Sequence, residues 1–397
     1  MRVVVHDYAG HPFPVQLSRE LAKRGHQVLH LYAGYNQTPR GALELQNDDP
    51  PSLDIRGVFI GEPLDKDSYL KRWSQEREYG RLAAASMRQF RPQTVISGNT
   101  PLDAQARLLS ECRAQGVRFV YWLQDFLGFG ARSILRRRLP VLGGLIGAYH
   151  MRLERSLLKA PDAIVAITED FCPTLRAWGI PAAKTEVIPN WGPLEELPVC
   201  AKDNPWSRAQ GLNTGFTFLY TGTLRMKHNP ALLLELAKRL CQGAGSTSLV
   251  VASEGPGASW LKNQAFQLGL SNVRVLGFQP MAQYAQVLGA ADVLTAILNA
   301  EAGVFSVPSK VLSYLCAKRP VLLSVPGANQ AARIVNDHMT GIVVDPDDLE
   351  GYIRAARSLM ASPPLRRQMG ENARKYAQAN FDIRAIADRF EGLISRL

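Results

Sequence analysis

The chain has 397 residues, with 46 Lys or Arg against 35 Asp or Glu, a formal charge of +11. With 46% hydrophobic and 20% charged residues it can bury sizeable cores, which excludes a disordered chain, and its length suits two domains. No apolar run approaches the ~18 residues of a spanning helix, and the opening Met1–Val5 turns polar at His6-Asp7, too soon for a signal-peptide core. Cys112, Cys172, Cys200, Cys241 and Cys316 are scattered without a C-x-x-C pair, which reads as reduced thiols in cytoplasm. Residues 1–200 hold 25 basic and 21 acidic side chains, and residues 201–397 hold 21 and 14. The densest excess is Arg132–Arg155, six arginines against Glu154 alone. Nucleic acid, an anionic membrane surface or an anionic small molecule are the partners such charge admits.

In chain order, Val3–Val5 reads as a strand, followed by a loop through Gly10 and a helix opened by Pro14, with Leu17 and Leu21 one turn apart and Gly25 at its exit. Strands follow at Val28–Tyr32, Thr94–Ser97, Arg118–Leu123, Ala163–Ile167 and Glu186–Ile188, mostly alternating with helical stretches. From Pro189 to about Leu212 the chain is rich in Pro, Asn and Gly and reads as a linker. A second series restarts with strands at Phe216–Tyr220, Ser248–Ala252, Val273–Leu276, Val293–Ile297, Val321–Val325 and Gly341–Val344, and ends in a helix over Asp382–Leu397. Such alternation predicts an α/β fold of two doubly wound parallel sheets, with a ligand at the carboxyl ends of the strands. The expected division is 1–200, 201–380 and a last helix, 381–397, that crosses back to the first domain.

The loops after strands carry the candidate chemistry. After Phe216–Tyr220 comes Thr221 to Asn229, where Gly222 permits a tight turn and Arg225 and Lys227 offer two cations to a diphosphate; the bland alternative is a loop with solvated bases. Ser253-Glu254-Gly255-Pro256-Gly257 allows close backbone approach, or is a mere turn. Asn299–Val307 carries Glu301 and Gly303, and Pro308-Ser309-Lys310 then opens a helix to about Lys318, whose first amides and lysine make an anion site. In the first half, Gly10-His11, Gly98-Asn99-Thr100 and Gln124-Asp125 follow strands. Asp125 suits a substrate hydroxyl or a turn cap, and His6 and His11 read as satisfied hydrogen-bonders. No His, Cys or acidic cluster has metal-ligand spacing.

Taken together, these segments resemble the retaining GT-B-fold glycosyltransferases of group 1, or family 4, over nearly the whole chain. Leu21–Val28, Val187–Asn190, Ser253–Pro256, Leu276–Phe278 and Ala291–Val293 follow that family's order, and Pro308–Leu315 with Arg319-Pro320-Val321 is the most specific stretch. Gly222–Leu224 through Lys227–Asn229 is similar to a branch that builds bacterial O-antigen, capsule and exopolysaccharide units. The resemblance implies two Rossmann-like domains facing across a cleft. It implies transfer of a hexosyl or N-acetylhexosaminyl group from a nucleotide diphosphate-sugar, UDP first and GDP second, with retention, no cofactor and no metal. The acceptor would be a hydroxyl on a polyprenyl-diphosphate-linked sugar at the inner face of the cell membrane.

By the same resemblance, Arg225 and Lys227 would neutralise the leaving diphosphate, and Gln124 and Asp125 would take the place of a His-Asp pair in the acceptor domain. Gly10, Gly222, Thr223, Glu254, Gly255, Phe278, Glu301, Val304, Phe305, Ser306, Ser309, Lys310 and Ser313 would surround the donor, and Asn99 the acceptor. Departures are Gln124 for His, Thr223 for Arg, and Phe305 and Ser313 where relatives carry two glutamates; Glu301 is offset from the first of these. Arg132, Arg136, Arg137 and Arg138, interleaved with aliphatic residues, suit a membrane interface, and otherwise an Arg-rich helix before a buried one. A nucleotide-sugar 2-epimerase would need no acceptor, and a dinucleotide oxidoreductase would want G-x-G-x-x-G where Tyr8–Pro12 stands. A basic nucleic-acid- or membrane-binding protein would explain the charge, but no nucleic-acid recognition motif or stacking series is present.

Overall fold

The computed structural model describes residues 1–35, 40–65, 68–129, 142–240, 247–303 and 307–397. The chain divides into two compact units, Met1–Asn190 with Ile383–Leu397, and Trp191–Asp382.

The first unit is built on β1 (Arg2–Asp7), β2 (Gln27–Ala33), β3 (Leu53–Val58), β4 (Thr94–Gly98), β5 (Arg118–Leu123), β6 (Ala163–Ala166) and β7 (Thr185–Val187), in the order β3-β2-β1-β4-β5-β6-β7. Every pairing is parallel. Helices cover both faces, so the central strands are unbroken apolar runs: Val3, Val4 and Val5 are all fully buried. β3 lies outside the expected strands because it is a half-buried edge carrying Asp54, Arg56 and Gly57. The first helix is Pro12–Lys23, two residues earlier than the Pro14 start expected. His11 holds an extended conformation with its amide on Asp7, so Pro12 takes the first turn, where no amide proton is needed. The terminal helix Ile383–Ser395 packs beside that first helix. Arg24 reaches Asp388 at 2.6 Å and Glu391 at 2.9 Å, and Phe390 meets Trp122 edge to face.

The second unit holds β8 (Phe216–Thr221), β9 (Thr247–Ala252), β10 (Val273–Leu276), β11 (Val293–Ile297), β12 (Val321–Ser324) and β13 (Gly341–Val344), ordered β10-β9-β8-β11-β12-β13 and again all parallel. The stretch expected as a linker belongs to this unit as ordered structure. Trp191, Leu197, Trp206 and Leu212 are buried, Trp206 Nε1 donates to Gln279 at 3.0 Å, and Asn204 caps a short helix, Pro205–Ala209. Four apolar anchors outweigh the Pro and Gly content that suggested flexibility. A side chain on Gly192 would lie 2.5 Å from the Leu312 carbonyl, so only glycine fits that approach.

In both sheets the strand order reverses beside the first strand, between β1 and β4 and between β8 and β11. Loops leaving the carboxyl ends of such a pair part to opposite sides and leave room for a ligand.

Candidate functional site

At the second unit's switch point the loop after β8 is held firmly while presenting its bases. Gly222 donates to Ala252 at 3.1 Å, and the amide of Leu224, a fully buried residue, donates to the Glu254 carbonyl at 3.1 Å. Arg225 and Lys227, both exposed, flank the short turn Met226–His228, and the Arg225 amide donates to His228 Nδ1 at 2.9 Å. That bond requires a neutral ring. Burial first, then the charges of Lys310, Lys227 and Arg225, push His228 down to about 3. The Asn299 amide donates to the Lys227 carbonyl at 3.2 Å, joining the loops after β8 and β11.

The helix expected from Pro308 begins two residues later, at Lys310. The helix is Lys310–Cys316, and Lys318 leaves it with φ of 57°. The Lys310 ammonium turns inward: it lies 3.6 Å from the centroid of the buried Tyr220 ring and finds no hydrogen-bond partner among the described residues. Burial, with Lys227 adding repulsion, holds it well below the usual lysine range. A cation over a desolvated ring gains roughly 2 kcal/mol, less than the several kcal/mol that burying an ion costs.

The remaining donor candidates of this unit lie around these loops. Gly255 adopts φ of +115°, a value only glycine holds readily, and places Glu254 so that its Oε1 accepts the Phe278 amide at 3.4 Å. Thr223 accepts the Tyr220 hydroxyl on its carbonyl at 2.9 Å. Glu301, in the short helix Ala300–Gly303, and Ser309 are exposed, and Ser313 is half-buried one turn along from Lys310. Val304, Phe305 and Ser306 lie outside the described residues.

In the first unit the switch point is organised by a residue the sequence reading missed. Asp7, 1% exposed, accepts from the His11 amide at 2.5 Å and from Asn99 Nδ2 at 2.8 Å. Burial raises its carboxyl, while the His11 charge and these hydrogen bonds oppose that rise. It thereby fixes the Gly10 loop (φ of 74°) and Asn99 (φ of 52°) together. Gln124 is buried and exchanges side-chain hydrogen bonds with Asn190. Asp125 is half-buried in the same loop. Behind it, the buried Glu154 accepts the Gly128 amide at 3.0 Å through one oxygen, and the other has no partner among the described residues. Burial carries its carboxyl up to about 7, with the Asp125 charge contributing. His6 is a satisfied core histidine, 2.8 Å from Ser97 Oγ and 2.7 Å from the Tyr79 hydroxyl. Arg132, Arg136, Arg137 and Arg138 lie outside the described residues.

Two family models match: that of group 1 glycosyl transferases over residues 203–376, and a glycosyl transferase 4-like domain over residues 11–191. The chain belongs to the group 1 glycosyltransferases. An α-D-kanosaminyltransferase of Streptomyces kanamyceticus is 25% identical over 186 residues, a match spanning 46% of this chain and 46% of that enzyme. The chain therefore matches about half the length of that curated relative. Among solved structures, sucrose-phosphate synthase of Thermosynechococcus elongatus superposes with a TM-score of 0.76 at 16% identity, covering 100% of this chain and 98% of its own. HepE of Anabaena, solved with UDP-glucose, gives 0.74 at 15% identity with 100% of both chains covered. These glycosyltransferase neighbours share the GT-B fold, two Rossmann-like parallel-sheet domains.

Proposed function

We propose that the chain transfers a sugar from a nucleotide diphosphate donor, UDP-linked before GDP-linked, to a hydroxyl of an acceptor carried on a polyprenyl diphosphate. The observation that carries this reading is the basic edge at the second switch point, where Arg225, Lys227 and Lys310 gather around loops joined by the Asn299–Lys227 hydrogen bond. As the glycosidic bond to the diphosphate breaks, negative charge grows on the leaving oxygen, and fixed cations there stabilise the transition state more than the ground state. Two exposed bases serve that purpose without a metal ion, and the sugar is transferred with its anomeric configuration retained. Glu254 contributes through the Phe278 backbone, which it holds in place for the base, and Ser313 is within the same region for a ribose hydroxyl.

The first unit takes the acceptor. Its Leu70 and Leu145 are 70% and 67% exposed, and they sit on helices joined by the Tyr69–His150 hydrogen bond of 2.7 Å. An exposed apolar pair on the unit that also contains Arg132–Arg138 suits attachment to an anionic membrane from the cytoplasmic side. Among the described residues no helix is long and apolar enough to cross a membrane. The test is transfer of labelled sugar from UDP- and GDP-sugars to a polyprenyl-diphosphate-sugar in anionic vesicles, with and without EDTA. Retained transfer in EDTA supports the reading. Donor isomerisation without an acceptor points instead to an epimerase.

A further inference from the structure

Lys310 is placed in a way that simple anion binding does not require. Its stem is partly exposed at the start of the helix Lys310–Cys316, but Nζ itself is enclosed and has no hydrogen-bond partner among the described residues. Below it is the face of the Tyr220 ring at 3.6 Å, while the Tyr220 hydroxyl, protonated, donates to the Thr223 carbonyl. The groups facing it from the loop after β8 are basic. Lys227 repels it directly, and His228, itself under the charges of Lys310, Lys227 and Arg225, is kept neutral by accepting the Arg225 amide. On its own helix the nearest titratable group is Tyr314, buried and protonated, which acts on Tyr220. A buried ammonium facing Lys227, with no acceptor for its three protons among the described residues, is stable only if something anionic arrives or the proton leaves.

We infer that Lys310 stands as a neutral amine in the unliganded protein and takes up one proton when a nucleoside diphosphate binds, so that donor binding and diphosphate release are coupled to proton uptake and loss at this side chain. This rests on the reading that the diphosphate binds beside Arg225 and Lys227. The balance is simple: a solvent proton joins the lone pair of Nζ as the diphosphate binds, and no covalent bond of the ligand changes. The diphosphate cancels the repulsion from Lys227 and supplies the acceptor that the niche lacks. Release of the diphosphate returns the proton, so Lys310 resets between turnovers.

Calorimetric titration of UDP into the full chain tests this at about pH 8, above the ordinary second phosphate ionisation near ~6, in two buffers of different ionisation enthalpy. The native protein should take up about one proton per UDP bound. Lys310→Arg should bind with almost no uptake, since a guanidinium is charged already, and Lys310→Met should show none with weaker binding. His228→Gln should keep the native uptake. UDP binding without uptake in the native protein overturns the inference while leaving the diphosphate reading intact. Uptake that persists in Lys310→Arg, or disappears in His228→Gln, also overturns it by assigning the proton elsewhere. No binding heat from UDP, GDP or pyrophosphate overturns the diphosphate reading and the inference with it.

Discussion

At the first unit's switch point the loops after β1 and β4 meet through a carboxylate: Asp7 takes the Asn99 side chain on one oxygen and the His11 amide on the other. At the second unit's switch point the loops after β8 and β11 meet through the main chain, Asn299 amide to Lys227 carbonyl, and the side chains there are bases. The same sheet topology thus uses its charged groups in opposite ways. In the first unit a buried acid is consumed in holding loops, and Gln124 is likewise committed to Asn190. In the second the backbone does the holding, and the Lys310 ammonium is left without a partner among the described residues. A surface whose polar groups satisfy each other is suited to shape a neutral hydroxyl substrate. One that keeps an unpartnered cation is suited to receive an anion.

Breaking the second edge should have the largest effect. Arg225→Ala and Lys227→Ala are each expected to lower turnover by on the order of a hundredfold or more, measured as initial rates at saturating donor, with unfolding midpoints close to native. Near-native rates in both would remove the functional half of the comparison.

The next effect is at Glu154, behind the Asp125 loop. Its folded-state carboxyl is raised to about 7 from an ordinary 4.5, so the folded protein binds the proton more tightly than the unfolded chain. That contribution is complete below about pH 4 and is lost as pH rises through 7. Glu154→Gln should remove this loss. In urea unfolding at about pH 8 the variant is expected to gain on the order of 3 kcal/mol relative to native, and far less at about pH 5. Equal effects at both pH values would show that the carboxyl is not held in its buried, proton-binding state.

Asp7→Ala sharpens the structural half of the comparison. Losing two hydrogen bonds to a buried carboxylate should cost about 2–3 kcal/mol in stability and free the Gly10 and Asn99 loops. Greater amide exchange over residues 8–11 and 98–100 is the expected signature. A smaller stability loss than about 1 kcal/mol would mean that Asp7 is not the clamp.

Much of this architecture was legible because parallel strands covered on both faces are written as continuous β-branched and aromatic runs. Val3–Val5, Phe216–Tyr220 and Val293–Ile297 are such runs. β3 was not, since an edge strand with Asp54, Arg56 and Gly57 needs no such run. The stretch 191–212 misled because Pro, Asn and Gly report local turns, while Trp191 and Trp206 anchor it through distant contacts such as Gln279. The site's bases could be found by their position after strands. Their orientation could not: nothing local distinguishes an exposed Lys227 from a Lys310 whose ammonium lies over Tyr220, because that ring comes from ninety positions earlier. Asp7 read as the polar end of a strand, and only the fold brings Asn99 to it.

The central claim is that the second switch point binds the diphosphate of the donor. Calorimetric titration of UDP and GDP into the native protein and into the Arg225→Ala, Lys227→Ala double variant tests it most directly. The account predicts saturable binding of at least one nucleotide by the native protein, weakened by on the order of a hundredfold in the double variant, about 3 kcal/mol. Affinity in the double variant within about twofold of native would contradict it.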